Sequence, residues 1–133
     1  MTALSDLIAK LEAAPEGSRE LDAAIAVATF SEPYGDDDLI YARQVDKDDD
    51  CAAGTFWRKS RSGASLRTAP YFTTSLDAAL PSENIVRVER VYGAVVHEWR
   101  AWTVLEGEPH EGLGHTEALA RRIAALKARK AQP

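Results

Sequence analysis

This chain has almost nothing that is reactive by type or by spacing. It holds one cysteine, Cys51, in 133 residues, which excludes an internal disulfide and fits a reducing cytoplasm. No stretch approaches the roughly 20 consecutive apolar residues that cross a bilayer. The opening MTALSDLIAKLEAA carries Asp6, Lys10 and Glu12 where a secretory signal would need an unbroken apolar segment, so it reads as mature structure. No serine sits in a GxSxG elbow, and the glycines form neither a Walker loop nor a dinucleotide fingerprint. There is no internal repeat, and no biased tract beyond the aspartates. The expectation from these spacings is a chain without cofactor or metal.

Metal and thiol chemistry have partial signals that break down on inspection. The run Asp46-Lys47-Asp48-Asp49-Asp50 begins like a calcium-binding EF-hand loop, but Cys51 stands where the turn glycine belongs and Trp57 where a bidentate glutamate closes the site. His110 and His115 flank EGLG and could combine with Glu108 or Glu111, yet neither the HExxH register nor a CxxC knuckle is present. A loop histidine and a histidine preceding a helix are the plainer readings. Cys51 follows three aspartates, which raise a thiol's pKa instead of activating it.

What the chain does have is a composition suited to one soluble core. Hydrophobic residues make up 45% and charged residues 28%, and a chain of this length buries roughly two-thirds of the surface its unfolded form exposes. A single domain spanning 1–133 is expected. The net charge of −5 is unevenly spread. Residues 31–56 hold Glu32, Asp36, Asp37, Asp38, Asp46, Asp48, Asp49 and Asp50 against only Arg43 and Lys47, whereas residues 57–68 hold Arg58, Lys59, Arg61 and Arg67 with no acid. From 117 onward five basic residues oppose Glu117. A segregated acidic chain is not a basic nucleic-acid binder. The stretch RKSRSGASLR reads as a flexible basic loop.

The clearest structural signal lies in NIVRVERVYGAVVHEWRAWTVLE, residues 84–106. A two-residue turn at Tyr92-Gly93 would set Arg87 opposite Glu98 and Val86 opposite Trp99, whereas a turn one residue later would oppose Arg87 to Arg100 and Glu89 to Glu98. The first register is the one expected. Along the second strand, Val95, His97, Trp99, Ala101, Thr103 and Leu105 share one face, and Ala94, Val96, Glu98, Arg100, Trp102 and Val104 the other. With Trp99 and Trp102 on opposite sides, both faces are expected to be covered. His97 then reads as a hydrogen-bonded core histidine.

Helices are expected at both ends. Ser5 caps one running to about Ala14 with Leu7, Ile8 and Leu11 on one face, and Ser18 caps a second from Arg19 to about Thr29 with a stripe of Leu21, Ala24, Ile25 and Ala28. Thr116 caps a third, in which Leu119, Ile123 and Leu126 lie beneath a basic outer face. Between them, LIYARQV (39–45) and GTFWRK (54–59) are short strands in a loop-rich region 31–69, and Thr74 or Ser75 caps a turn of helix through SLDAAL.

The segments LSDLIAKLEAAPEGSRELDAAIAVA, APYFTTSLDAALPSE and GLGHTEALARRIAALKARKA, 60 of the 133 residues, resemble the phage ABA sandwich domain family of phage and prophage proteins. The resemblance implies an α+β, single-domain α/β/α-type sandwich. Its central sheet would be mainly antiparallel, with an N-terminal helical hairpin and a C-terminal helix. It implies no activity or catalytic residue, and the departure from the family pattern falls in 31–69.

Two functional expectations follow. The first is a non-enzymatic accessory protein in the host cytoplasm that binds a host or phage macromolecule through Asp36, Asp37, Asp38, Asp48, Asp49 and Asp50. Such an acidic surface can occupy a basic nucleic-acid groove, as a host-defence inhibitor would, without touching nucleic acid or membrane itself. The second is a small enzyme or ligand-binding protein whose pocket draws on His97, His110 and His115. Self-association through a strand edge or Trp102 is a third possibility.

Overall fold

The computed structural model describes residues 3–29, 39–44, 53–60, 63–78, 80, 83–91 and 98–131. In chain order the elements are α1 (Ala3–Ala13), α2 (Arg19–Thr29), β1 (Leu39–Gln44), β2 (Thr55–Ser60), β3 (Gly63–Thr68), β4 (Ile85–Arg90), β5 (Trp99–Leu105), β6 (Glu108–Gly114) and α3 (Glu117–Lys130). The class is the expected α+β, with antiparallel strands, an N-terminal helical hairpin and a C-terminal helix. In place of the one central sheet expected of an α/β/α-type sandwich, the strands form two three-stranded sheets, ordered β1-β2-β3 and β4-β5-β6.

The helices start where side-chain oxygens satisfy their first amides. Ser18 Oγ accepts from the Leu21 amide (3.1 Å) and Thr116 Oγ1 from the Leu119 amide (3.2 Å), each filling a donor that a helix start leaves open. The first helix begins at Ala3, so Ser5 lies within its first turn and not at its cap. Leu7, Ile8 and Leu11 of α1 are buried, as their spacing dictates. They meet Ile25 and Ala26 of α2, Phe56 of β2, and Leu119, Ile123 and Leu126 of α3 in the main core.

The third helix is the centre of the molecule. Its Leu119–Ile123–Leu126 stripe faces the helical hairpin, while Ala120 and Ala124 lie against Ala101 of β5 in a second cluster with Ile85, Val88 and Trp99. Both sides are therefore inside, and the expected basic outer face is only partial, since Arg122 is fully buried. The α2 helix touches β1 and β2, whereas α3 touches β4, β5 and β6, so the helices lie between the two sheets.

The hairpin register differs from the one charge opposition suggested. Arg90 pairs with Trp99, Glu89 with Arg100, Val88 with Ala101 and Arg87 with Trp102, and the Val91 amide donates to the Glu98 carbonyl at 2.7 Å. A two-residue turn at Tyr92-Gly93 cannot join strands so paired. Residues 92–97, including that turn and His97, lie outside the described residues. The pairing is compatible with charge: Glu89 meets Arg100 at 3.4 Å, and neither of the like-charge oppositions occurs. The chain has chosen a third register that keeps the same faces, because it is displaced by an even number of residues.

Three further segments differ from what their local sequence suggests. The described residues of the basic stretch after Trp57 are strand: β2 and β3 pair from Thr55–Thr68 to Ser60–Gly63. The glycine-rich stretch around His110 is strand β6, joined to β5 by Glu106 (φ 52°) and Gly107 (φ 80°). Two successive positive φ values make the type I′ turn whose twist matches the strands it joins. The described part of SLDAAL forms turns, with Ser75 Oγ accepting from the Asp77 amide at 3.2 Å.

Candidate functional site

Buried charge is concentrated where the chain has no regular structure. Residues 69–78 run between the two sheets as turns, and their backbone groups, lacking a helix or ladder, need partners elsewhere. Two helices supply them. From α3, Arg122 donates through Nε to the Phe72 carbonyl (3.0 Å) and through Nη2 to the Ser75 (2.8 Å) and Leu76 (3.0 Å) carbonyls. Its Nη1 meets Glu83 Oε2 at 2.6 Å. From α2, Asp22 Oδ1 accepts from both the amide and the hydroxyl of Thr73, each at 2.7 Å.

Arg19 completes that second anchor. Its guanidinium bonds Asp22 (2.6 Å) and the Ala69 carbonyl (2.7 Å) and lies 3.8 Å from the centroid of the Tyr71 ring. The planar fork of arginine suits this combination of bonds and stacking, which a lysine ammonium would not reproduce. Sequence reasoning placed Arg122 among outward cations and gave Asp22 no role. Arg122 stands three residues after Leu119 and four before Leu126, a spacing that sets it beside the apolar stripe, but only the tertiary fold brings unpaired carbonyls to it and to Asp22.

Burial acts in opposite directions on the two members of the α3 pair. It pushes the Glu83 carboxyl above the ordinary carboxylate range, with Arg122 pulling back, and it lowers the Arg122 guanidinium, with Glu83 opposing. The consequence for stability has a definite sign. A folded carboxyl with a raised pKa holds a proton that the unfolded chain has released, so its contribution is complete below the ordinary carboxylate range and is lost as pH rises through the folded value. Chemical unfolding from about pH 4 to pH 8 should show the parent chain losing stability relative to Glu83→Gln as pH rises. A difference independent of pH would contradict this.

Beside the anchored segment lies an open cleft of about 330 Å³, lined by Glu16, Gly17, Thr73, Thr74, Leu76, Thr116, Glu117 and Ala118. Neither His110 nor His115 borders it. His110 sits in β6 opposite Thr103, and His115 immediately precedes the cap of α3. Among the described residues no three His, Cys, Asp or Glu side chains come together to hold a metal ion. The six aspartates named from the sequence, Asp36, Asp37, Asp38, Asp48, Asp49 and Asp50, and Cys51 with them, lie outside the described residues.

The sheet β4-β5-β6 presents a second surface. Trp99 packs inward beside α3, and Trp102 projects to the opposite side, as their spacing requires. There the Arg87 and Arg100 guanidiniums stand 4.9 and 5.6 Å from the Trp102 ring. Arg87 pairs with Glu89 (2.9 Å), and Arg100 with Glu89 and Glu111 (3.4 Å each). The expected second cover is not a described helix: α3 occupies the inner face, and on the outer one the sheet's own arginines overlie the tryptophan. Long cationic side chains shield an aromatic face while keeping their charge in water.

No family model, no curated protein and no solved structure matches this chain. Among the described residues no helix is long and apolar enough to cross a membrane.

Proposed function

We propose that this chain is a small phage- or prophage-type accessory protein that works by binding, in the host cytoplasm, a macromolecule with a basic surface, and that its acidic segment is the binding element. The observation that carries this reading is the placement of β1. It is a terminal strand of the sheet β1-β2-β3, held to β2 by antiparallel pairing and touched by α2. Asp36, Asp37 and Asp38 immediately precede it, and Asp48, Asp49 and Asp50 follow shortly after it. A six-residue strand spans about 20 Å, so the two runs are tethered at opposite ends of a fixed element.

Two runs of carboxylates flanking one strand in the sequence suit a basic groove better than a point ligand. A groove that normally receives nucleic acid is the natural counterpart, and a host-defence complex that reads nucleic acid is the class of partner this favours. The acidic residues supply steering and complementarity, so binding should weaken steeply with salt. Support for the phage setting comes from the three segments resembling the ABA sandwich family, which form α1, α2, the anchored segment and α3.

The test is affinity capture from host lysate at low and at high ionic strength, using the parent chain and a variant with Asn at positions 36, 37, 38, 48, 49 and 50. The expected result is a partner recovered by the parent chain at low salt, reduced at least about tenfold by the six substitutions and by added salt. Equal recovery by both proteins would remove the basis of the proposal.

A further inference from the structure

The outer face of β4-β5-β6 points to a partner that the acidic segment does not explain. Its side chains form rows across the three strands. Arg87, Trp102 and Glu111 make one row, because Arg87 pairs with Trp102 and Trp102 with Glu111. Glu89, Arg100 and Leu113 make the next, by the pairings Glu89–Arg100 and Arg100–Leu113. On the other side of the tryptophan row, Val104 pairs with Pro109, and the irregularity between Ile85 and Arg87 leaves Val86 55% exposed.

This face has two arginines and two glutamates around a tryptophan, so it draws neither a polyanion nor a polycation. Its charges are instead arranged to complement themselves. Arg87 and Glu111 flank Trp102 on opposite sides, one on each edge strand of the sheet. A two-fold axis parallel to β5, lying between two copies packed face to face, carries β4 of one copy over β6 of the other and preserves the rows. Each Arg87 then meets a Glu111, twice over, and the two Trp102 rings meet at the centre.

Arg100 would face its own copy across that axis, each neutralised by Glu89 and Glu111, while Arg87, which pairs with Glu89 and lies over Trp102 in the single chain, exchanges those contacts for Glu111 of the second copy and uncovers the ring. Arg87 is 67% exposed and Glu111 42%, so both can be reached from outside. Tryptophan and arginine are the side chains that dominate association energetics when desolvated at the middle of a contact.

We propose that this face is a self-association surface, in which a second copy of the chain docks sheet against sheet with Arg87 and Glu111 as reciprocal partners around Trp102. The proposal is independent of the acidic segment and does not require a host partner.

The experiment is sedimentation of purified protein over a concentration series, with thermal melts confirming that each variant is folded. The parent chain should dimerise, and Trp102→Ala should weaken that dimer. Arg87→Glu and Glu111→Arg should each be monomeric, because each opposes like charges across the axis. Mixed in equal amounts, the two variants should restore association and raise the mean mass about twofold, since the glutamate introduced in one then meets the arginine introduced in the other. A parent chain that stays monomeric throughout the series overturns the proposal. So does a parent dimer whose two charge variants fail to pair on mixing, which would place the contact elsewhere.

Discussion

Replacing Gly112 with alanine is expected to destabilise the fold by about 3 kcal/mol, the upper part of the range for overpacking a core, and to lower the melting temperature by roughly 10 °C. The reason is the close approach of β6 to the central helix. A Cβ at position 112 would overlap the Ala120 carbonyl oxygen and the Ala124 amide nitrogen and lie 2.9 Å from the Ala124 Cα. All three are backbone atoms of α3, which cannot turn aside as a flexible side chain can. Relief requires the helix to move away from the sheet, and the contacts of Ala101, Ala120 and Ala124, all fully buried, would open with it.

Gly107 is the informative comparison. A Cβ there meets nothing within 4 Å, but the backbone has φ +80°. Gly107→Ala should therefore cost about 1 kcal/mol through backbone strain alone. If the two substitutions prove equally mild in chemical unfolding, the contact of β6 with α3 is looser than described.

The second large effect is expected at Arg122. Arg122→Met keeps much of the side-chain volume but leaves Glu83 buried without its partner and removes the donor from three carbonyls, those of Phe72, Ser75 and Leu76. Breaking a buried pair from one side costs about 3–5 kcal/mol, because the remaining charge stays out of water. Arg122→Lys restores the charge without the planar fork, and a single ammonium cannot serve acceptors spread over Phe72, Ser75, Leu76 and Glu83.

Lysine should therefore recover only part of the loss, and the methionine variant should regain stability on acidification as Glu83 takes up a proton. Denaturant titrations of both variants at neutral and acidic pH measure this directly. A loss below about 1 kcal/mol for Arg122→Met, the scale of an exposed pair, would mean that the anchored segment has other support.

Both effects arise where local reading of the chain was blind. The helices were legible because periodicity and caps are local: Leu7–Ile8–Leu11, Leu119–Ile123–Leu126, Ser18 and Thr116 act within a few residues of themselves. Strands 39–44 and 55–60 were legible from apolar and β-branched runs between turn residues. Strand β6, with the sequence EPHEGLG, was not, because its two glycines are there for the helix that crosses them and carry no strand propensity. Strand β3, GASLRT, was hidden by its basic and small residues for a similar reason, since pairing with β2 supplies what propensity does not.

The hairpin shows the same boundary within one element. Alternation alone determined that Trp99 and Trp102 point in opposite directions, because the period of a strand is two whatever it pairs with. Register was a tertiary decision. Several oppositions satisfy the charges of β4 and β5, and the one adopted also places Val88 on Ala101 and Trp99 beside α3, where burial of apolar surface outweighs a surface ion pair.

By itself, then, the order of residues determined the α+β class, the three helices with their inner stripes, and the sidedness of β5, all properties set by backbone geometry over short spans. Only the folded arrangement decided that α3 would be enclosed between hairpin and sheet, that Arg122 and Asp22 would anchor residues 69–78, and that Arg87 and Glu111 would flank Trp102. Those outcomes depend on which unpaired carbonyls, close backbones and opposite charges meet across distant parts of the chain, and no local pattern encodes such meetings.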